Sequence, residues 1–210
     1  MQRTTTGWMT LALGLLALAL PLAAAAEPDF EAGPEKVIRE ASELTMQAIE
    51  GRRDELREDR AALFTIVDEV LLPRWDRSAT GQAVMGRYWR EATPEQREAF
   101  IDGLYRKLLE SYGEGILEYE SDQLNITGTR GDPERGLAVV DSEVRMRDGT
   151  VVPVSYRLRF HDGSWKVFDV IVEGISYLTT YRNQYASEFR NKGVQQVIDE
   201  LQGEGEQAGS

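Results

Sequence analysis

The chain has 210 residues, 36 acidic and 24 basic, for a formal net charge of −12. A chain this acidic repels nucleic acid and anionic membrane surfaces at long range, which argues against a nucleic-acid role. It has no cysteine, which excludes disulfides, thiolate metal sites and a cysteine nucleophile.

At the N-terminus, Arg3 precedes the apolar run Leu11 to Leu22, and Ala24-Ala25-Ala26 stands before Glu27. A basic start, a short apolar run and an A-x-A site describe a cleaved secretory signal over residues 1–26. The alternative is an uncleaved anchor, because Trp8 to Ala26 is nearly long enough to span a bilayer. Thr10, Gly14 and Pro21 favour cleavage, and without cysteine there is no acylated lipoprotein N-terminus. Loss of Arg3 makes the exported chain one unit more acidic, and the acidity reads either as adaptation to a salty habitat or as a match for a basic docking partner. Residues 27–202 suit one domain with a sizeable core. The Gly/Glu/Gln-rich stretch 203–210 reads as a disordered tail.

The spacing of Val37, Ile38, Ala41, Leu44, Thr45, Ala48 and Ile49 predicts an amphipathic helix with Pro34 in its first turn. A second is expected from Asp59 to Leu72, ended by Pro73, and a third, short one from Gln82 to Arg90. Thr93-Pro94-Glu95-Gln96 forms a capping box for a helix running to about Gly113. Its wide stripe (Phe100, Ile101, Leu104, Tyr105, Leu108, Leu109, Tyr112) needs more than one neighbour.

From Ile116 the period becomes two. Asp148-Gly149 and Asp162-Gly163 separate alternating runs as hairpin turns do. One strand turns Ala138, Val140, Ser142, Val144 and Met146 inward and Asp141, Glu143, Arg145 and Arg147 outward. The next turns Val152, Val154, Tyr156, Leu158 and Phe160 inward, leaving Arg157 and Arg159 to meet acidic partners on the solvent face. With Leu117 to Thr127 and Trp165 to Val172 this makes a meander of about four strands, with Pro133 in the first connection. Helix returns with Ile175, Leu178, Tyr185 and Phe189, is broken at Gly193, and resumes through Val194, Val197, Ile198 and Leu201. The fold class is therefore α+β: a curved antiparallel sheet covered on one face by several helices, a layout able to enclose a cavity.

Groups for catalysis are sparse. The lone histidine, His161, sits beside a hairpin turn and reads as exposed. There is no G-x-S-x-G, no Gly-rich phosphate loop and no H-E-x-x-H, so no catalytic or metal-ligating residue is named. Asp169 alone interrupts an apolar strand, and a charge there needs partners. It reads either as a structural carboxylate held by backbone donors or an arginine such as Arg182, or as a catalytic base. A lone acid without an acid or electrophile partner completes no proton transfer.

The stretch Trp165-Lys166-Val167-Phe168-Asp169-Val170-Ile171-Val172-Glu173-Gly174-Ile175-Ser176, followed by Tyr181-Arg182-Asn183-Gln184-Tyr185 and Gly193, resembles the signature region of the MlaC family, the toluene-tolerance auxiliary proteins. Pro73, Gly86-Arg87-Tyr88-Trp89 and the Thr93 capping box resemble the same family's helical half, so the likeness spans about residues 34–202. It marks Trp165, Asp169, Gly174 and Arg182 as motif positions. It implies a fold similar to the nuclear-transport-factor-2 class and a monomeric periplasmic carrier of phospholipid, with no cofactor. The implied partners are an outer-membrane lipoprotein complex and an inner-membrane ABC transporter with an MCE-domain ring, and the implied role is maintenance of outer-membrane lipid asymmetry. A pocket for acyl chains is then expected between Tyr105, Leu108 and Tyr112 on the helix and Val140, Val144, Val152, Val154, Tyr156 and Leu158 on the sheet. Each of these also reads as ordinary core. The rival readings are a small isomerase or dehydratase using Asp169, and a structural adaptor of a transporter with a filled core.

Overall fold

The structure, a computed structural model, describes residues 33–132, 134–146 and 148–208. The expected signal 1–26, Pro133 and Arg147 lie outside the described residues.

Helix α1 (Gly33–Ile49) carries the expected stripe, burying Ile38, Met46 and Ile49. A short α2 (Arg53–Glu58), which the apolar pattern does not announce, precedes α3 (Arg60–Val70). The Asp59 side chain accepts from Ala62 N at 3.0 Å and so starts α3 one residue after the expected position. Asp76 caps α4 (Arg77–Met85) in the same way. The helix expected over Gln82 to Arg90 is therefore two pieces: Gly86, at φ 57°, ends α4, and α5 (Tyr88–Glu91) follows. The break is backbone geometry that glycine alone adopts freely. Helix α6 (Pro94–Tyr112) has the complete capping box.

The sheet is a meander in the order β1-β2-β3-β4-β5. Its strands are β1 (Tyr119–Asp132), β2 (Leu137–Met146), β3 (Val151–His161), β4 (Ser164–Val172) and β5 (Ile175–Ser176). Asp162 and Gly163, at φ 51° and 75°, make the expected two-residue turn between β3 and β4. Glu173 and Gly174 repeat that geometry at 51° and 81°. They fold Ile175 back onto Val172 as a fifth strand absent from the sequence reading, because two residues are too few to show a period. The far edge of β4 is also covered by Asp76, whose N–H donates to Val167 O at 2.7 Å.

Ser176 accepts from Thr179 N and opens α7 (Tyr177–Lys192), and α8 (Val194–Ala208) closes the chain. Helix α8 continues past Gly203, where the composition suggests disorder. Glu204, Glu206, Gln207 and Ala208 are good helix formers, so the two glycines do not end it. Residues 209 and 210 lie outside the described residues.

The buried interior has three parts. Phe100, Tyr185 and Phe189 knit α6 to α7, with Phe100 edge-on to Tyr185 at 5.1 Å. Ile49, Leu56, Leu63 and Leu117 join α1, α2 and α3. Ile38, Val140, Leu158 and Trp165 pack α1 on the sheet. Between these parts the packing is incomplete, and the space left positions the site.

Candidate functional site

Two adjoining apolar cavities lie between helices and sheet, about 400 Å³ and about 300 Å³ in volume. Leu71, Trp75, Tyr112, Ile116 and Val170 line both and form the partition. The first cavity is walled by α1 through Val37, Ile38, Ala41, Ser42 and Thr45, and by the sheet through Val144, Met146, Val154, Tyr156, Val167, Val170 and Val172. The second lies under α6 and α7, against Leu104, Tyr105, Leu108, Leu109, Leu178 and Tyr181, with Val67 and Val84 completing it.

A β-bulge decides which β4 residues face the first cavity. Asp169 pairs with Arg157, but the next pair is Val167 with Leu158, so Phe168 is the extra residue. Simple alternation would put Val167 and Asp169 on one face. The bulge instead puts Val167 and Val170 into the same cavity and turns Asp169 away from it.

Asp169 is 3 % exposed. One carboxylate oxygen accepts from Ser176 Oγ at 2.7 Å and lies 3.5 Å from Arg157 Nη1, while the other accepts from Leu178 N at 3.0 Å. The cation is thus Arg157, directly across the ladder, and not Arg182, which is exposed on α7. Arg159 similarly reaches the buried Asp76. The two arginines expected to pair on the solvent face therefore brace the starts of α4 and α7 through buried carboxylates.

The other polar groups at the cavities are satisfied locally. Trp75 Nε1 donates to Thr80 Oγ1 at 2.7 Å, and that hydroxyl lies 2.8 Å from Phe168 O. Arg74 donates to Val70 O. Tyr105 donates to Asp68, and burial followed by that carboxylate pushes its phenol well above the ordinary range. Burial, then the Tyr112 hydroxyl 3.5 Å away, does the same to Tyr181. Both stay neutral at physiological pH. Tyr112 is 43 % exposed while lining both cavities, and its ring meets Tyr177 at 4.7 Å. It stands at the rim of the partition.

Of the sequence-expected lining, Val144, Val154, Tyr156 and Tyr112 border the first cavity, and Tyr105, Leu108 and Tyr112 the second. Val140 and Leu158 border neither. Both are fully buried beneath α1 with Ile38 and Trp165, at the end of the sheet where the helix seats directly. Val152 is half-buried near the strand end and also borders neither cavity. Alternation assigns a face, and contact with the covering helix decides which part of that face stays open. The α1 wall, Trp75 and the Val167/Val170/Val172 row were not foreseen as lining. The α1 stripe was legible only as a buried stripe, and a bulge leaves no periodic signal. Trp165 is core, edge-on to Phe160 at 5.6 Å.

The site offers little for chemistry. His161 is exposed beside Asp162 at 3.3 Å. Among the described residues no group of three or more His, Cys, Asp or Glu could hold a metal ion. None of the described helices is long and apolar enough to cross a membrane. The two chambers are walled mainly by apolar side chains; Arg74 borders the first and Asp169 the second, each already hydrogen-bonded within the fold. Walls of this kind suit apolar chains held without directional contacts.

The MlaC protein family model matches residues 39–203. The chain belongs to the MlaC family. It is 29% identical over 174 residues to the toluene tolerance protein ttg2D of Pseudomonas putida, covering 81% of this chain and 80% of that protein. It is 22% identical over 176 residues to the intermembrane phospholipid transport system binding protein MlaC of Haemophilus influenzae, covering 82% of each. Among solved structures, the phospholipid-binding protein of Ralstonia solanacearum in complex with a phospholipid superposes with a TM-score of 0.76 at 26% identity, covering 85% of this chain and 99% of that one.

Proposed function

We propose that this protein is a periplasmic phospholipid carrier that encloses acyl chains in its two cavities, leaves the headgroup outside and performs no chemistry on its cargo. The observation that carries the reading is the pair of joined apolar chambers. Each falls within or near the roughly 300–1,000 Å³ of ligand pockets, and they share a wall and an exposed rim at Tyr112. The Ralstonia relative's phospholipid complex and the Haemophilus relative's name support the same cargo class.

Enclosure is what the cargo's physics requires. A two-chain phospholipid has on the order of 30 methylenes, and at ~0.8 kcal/mol each about 24 kcal/mol opposes leaving them in water. Family membership suggests shuttling between an outer-membrane lipoprotein complex and an inner-membrane ABC transporter bearing an MCE-domain ring, with outer-membrane asymmetry as the outcome. The signal-like segment 1–26 suits export. The base role for Asp169 lacks support, because both of its oxygens already accept hydrogen bonds within the fold. A filled-core adaptor does not account for the cavities.

The reading is tested by lipid extraction and native mass spectrometry of protein isolated from the periplasm. Co-purified phospholipid at a defined stoichiometry is expected, and protein free of lipid under gentle isolation would oppose the reading.

A further inference from the structure

A third concavity, about 440 Å³, opens on the far side of α4 from the second cavity, with Val84 contributing to both. Its walls are Val84, Met85, Gly86, Arg87 and Tyr88 at the α4–α5 turn, and Arg182, Ala186 and Arg190 along one face of α7. In a chain of net charge −12 this cleft is lined by three arginines and no carboxylate. It also joins two sequence segments that the apolar cavities leave largely unused, Gly86-Arg87-Tyr88 and Arg182 with its neighbours.

Most other described arginines near the core are already committed: Arg157 to Asp169, Arg159 to Asp76, Arg77 to Asp102, and Arg97 to the carbonyl and ring of Trp89. Among the described residues Arg182 and Arg190 have no hydrogen-bond or ion-pair partner. Arg87 meets the hydroxyl of Tyr88, at 2.7 Å, and its ring, at 4.7 Å, and feels the Glu91 carboxylate one turn on, outside the cleft lining. Arg182 and Arg190 are two helical turns apart, roughly 12 Å along the axis. Ala186 between them fills little of the gap, and the missing Cβ of Gly86 leaves the opposite wall low, an ideal Cβ there lying 3.9 Å from Arg182 Nε.

We propose that this cleft is a binding site for a phosphate-type oxyanion, held by Arg87 from one wall and by Arg182 and Arg190 from the other. A guanidinium fork takes two oxygens of a planar or tetrahedral anion. One carboxylate satisfies a single fork, whereas the several oxygens of a phosphate can engage forks from both walls. The anion comes either from a small soluble phosphate or from the headgroup of a lipid presented to the protein.

The test is isothermal titration calorimetry of the full-length exported protein with sodium phosphate and with glycerol 3-phosphate, against sodium chloride at matched ionic strength. A parallel arm measures co-sedimentation with phosphatidylcholine vesicles with and without phosphatidic acid. Saturable one-site binding of the soluble phosphates supports the proposal with a soluble source. Binding confined to the phosphatidic acid vesicles supports it with a headgroup source. In either case R182Q/R190Q weakens binding by about tenfold or more, and R182K/R190K recovers part of it. The exposed positions leave circular dichroism and co-purified lipid unchanged, so failure here is distinguishable from failure of the carrier reading. No saturable binding in either arm, binding equal in R182Q/R190Q, or capture of a polyglutamate peptide without phosphate binding would overturn the proposal.

Discussion

Asp169 accepts the backbone N–H of Leu178 at 3.0 Å, so a carboxylate on β4 holds the first turn of α7. Ser176 and Arg157 converge on the same carboxylate, which is removed from water while Arg157 itself stays partly exposed. The Asp169→Asn variant replaces one acceptor oxygen by a donor and deletes the charge. It is expected to lose about 2–3 kcal/mol of stability, the scale of charged hydrogen bonds left unmade in the interior. Urea unfolding monitored by circular dichroism measures this, and the folded fraction should keep its lipid. A catalytic base would behave otherwise, with stability intact and an activity lost.

The partition separates lining from core by experiment. Val154→Gln places a polar side chain in the first cavity and Leu108→Gln one in the second; either should lower co-purified lipid while the fold persists. Leu158→Ala should do the reverse, because its site is fully buried away from both cavities. It should cost about 2–5 kcal/mol and leave lipid per folded molecule unchanged. Equal lipid loss in all three variants would erase the distinction.

Gly103 on α6 faces α8, and a Cβ there would lie 2.8 Å from Leu201 Cβ. Alanine is worth about 1 kcal/mol over glycine within a helix, but the contact is with the root of a buried side chain that cannot swing aside. Overpacking of about 1–3 kcal/mol should prevail, and Gly103→Ala is expected to lower the melting temperature. A stabilised variant would mean that α8 shifts freely.

Tyr105 and Tyr181 hold their protons more tightly folded than unfolded, through burial first and then Asp68 or Tyr112. Their folded-state affinity is raised, so their contribution to stability is complete below the unfolded phenol's pKa of about 10 and declines as pH rises above it. Stability measured from pH 9 to 11 should fall, and the Tyr105→Phe/Tyr181→Phe variant should flatten that fall. An unchanged slope would show that these two phenols are not the source.

Local rules carried much of the architecture. The Thr93 capping box and the Asp162-Gly163 turn depend on contacts within a few residues, and both stand where the residues put them. The β4 bulge, the two-residue strand at Ile175 and the pairing of Asp169 with Arg157 depend on register between distant segments, which one-dimensional periodicity does not encode. The site divides the same way. Tyr105, Leu108, Tyr112, Val144, Val154 and Tyr156 were legible as apolar faces meeting. Which part of those faces stays unfilled depends on where α1 seats, and that excluded Val140 and Leu158 while bringing in Trp75 and Val170.

The most direct measurement of the central claim is native mass spectrometry of the wild-type protein taken from the periplasm, alongside Val154→Gln and Leu108→Gln. Wild-type protein should carry phospholipid mass that extraction identifies, and each cavity variant should carry less while remaining folded. A wild-type protein at its bare polypeptide mass, with both cavities intact, would contradict the account.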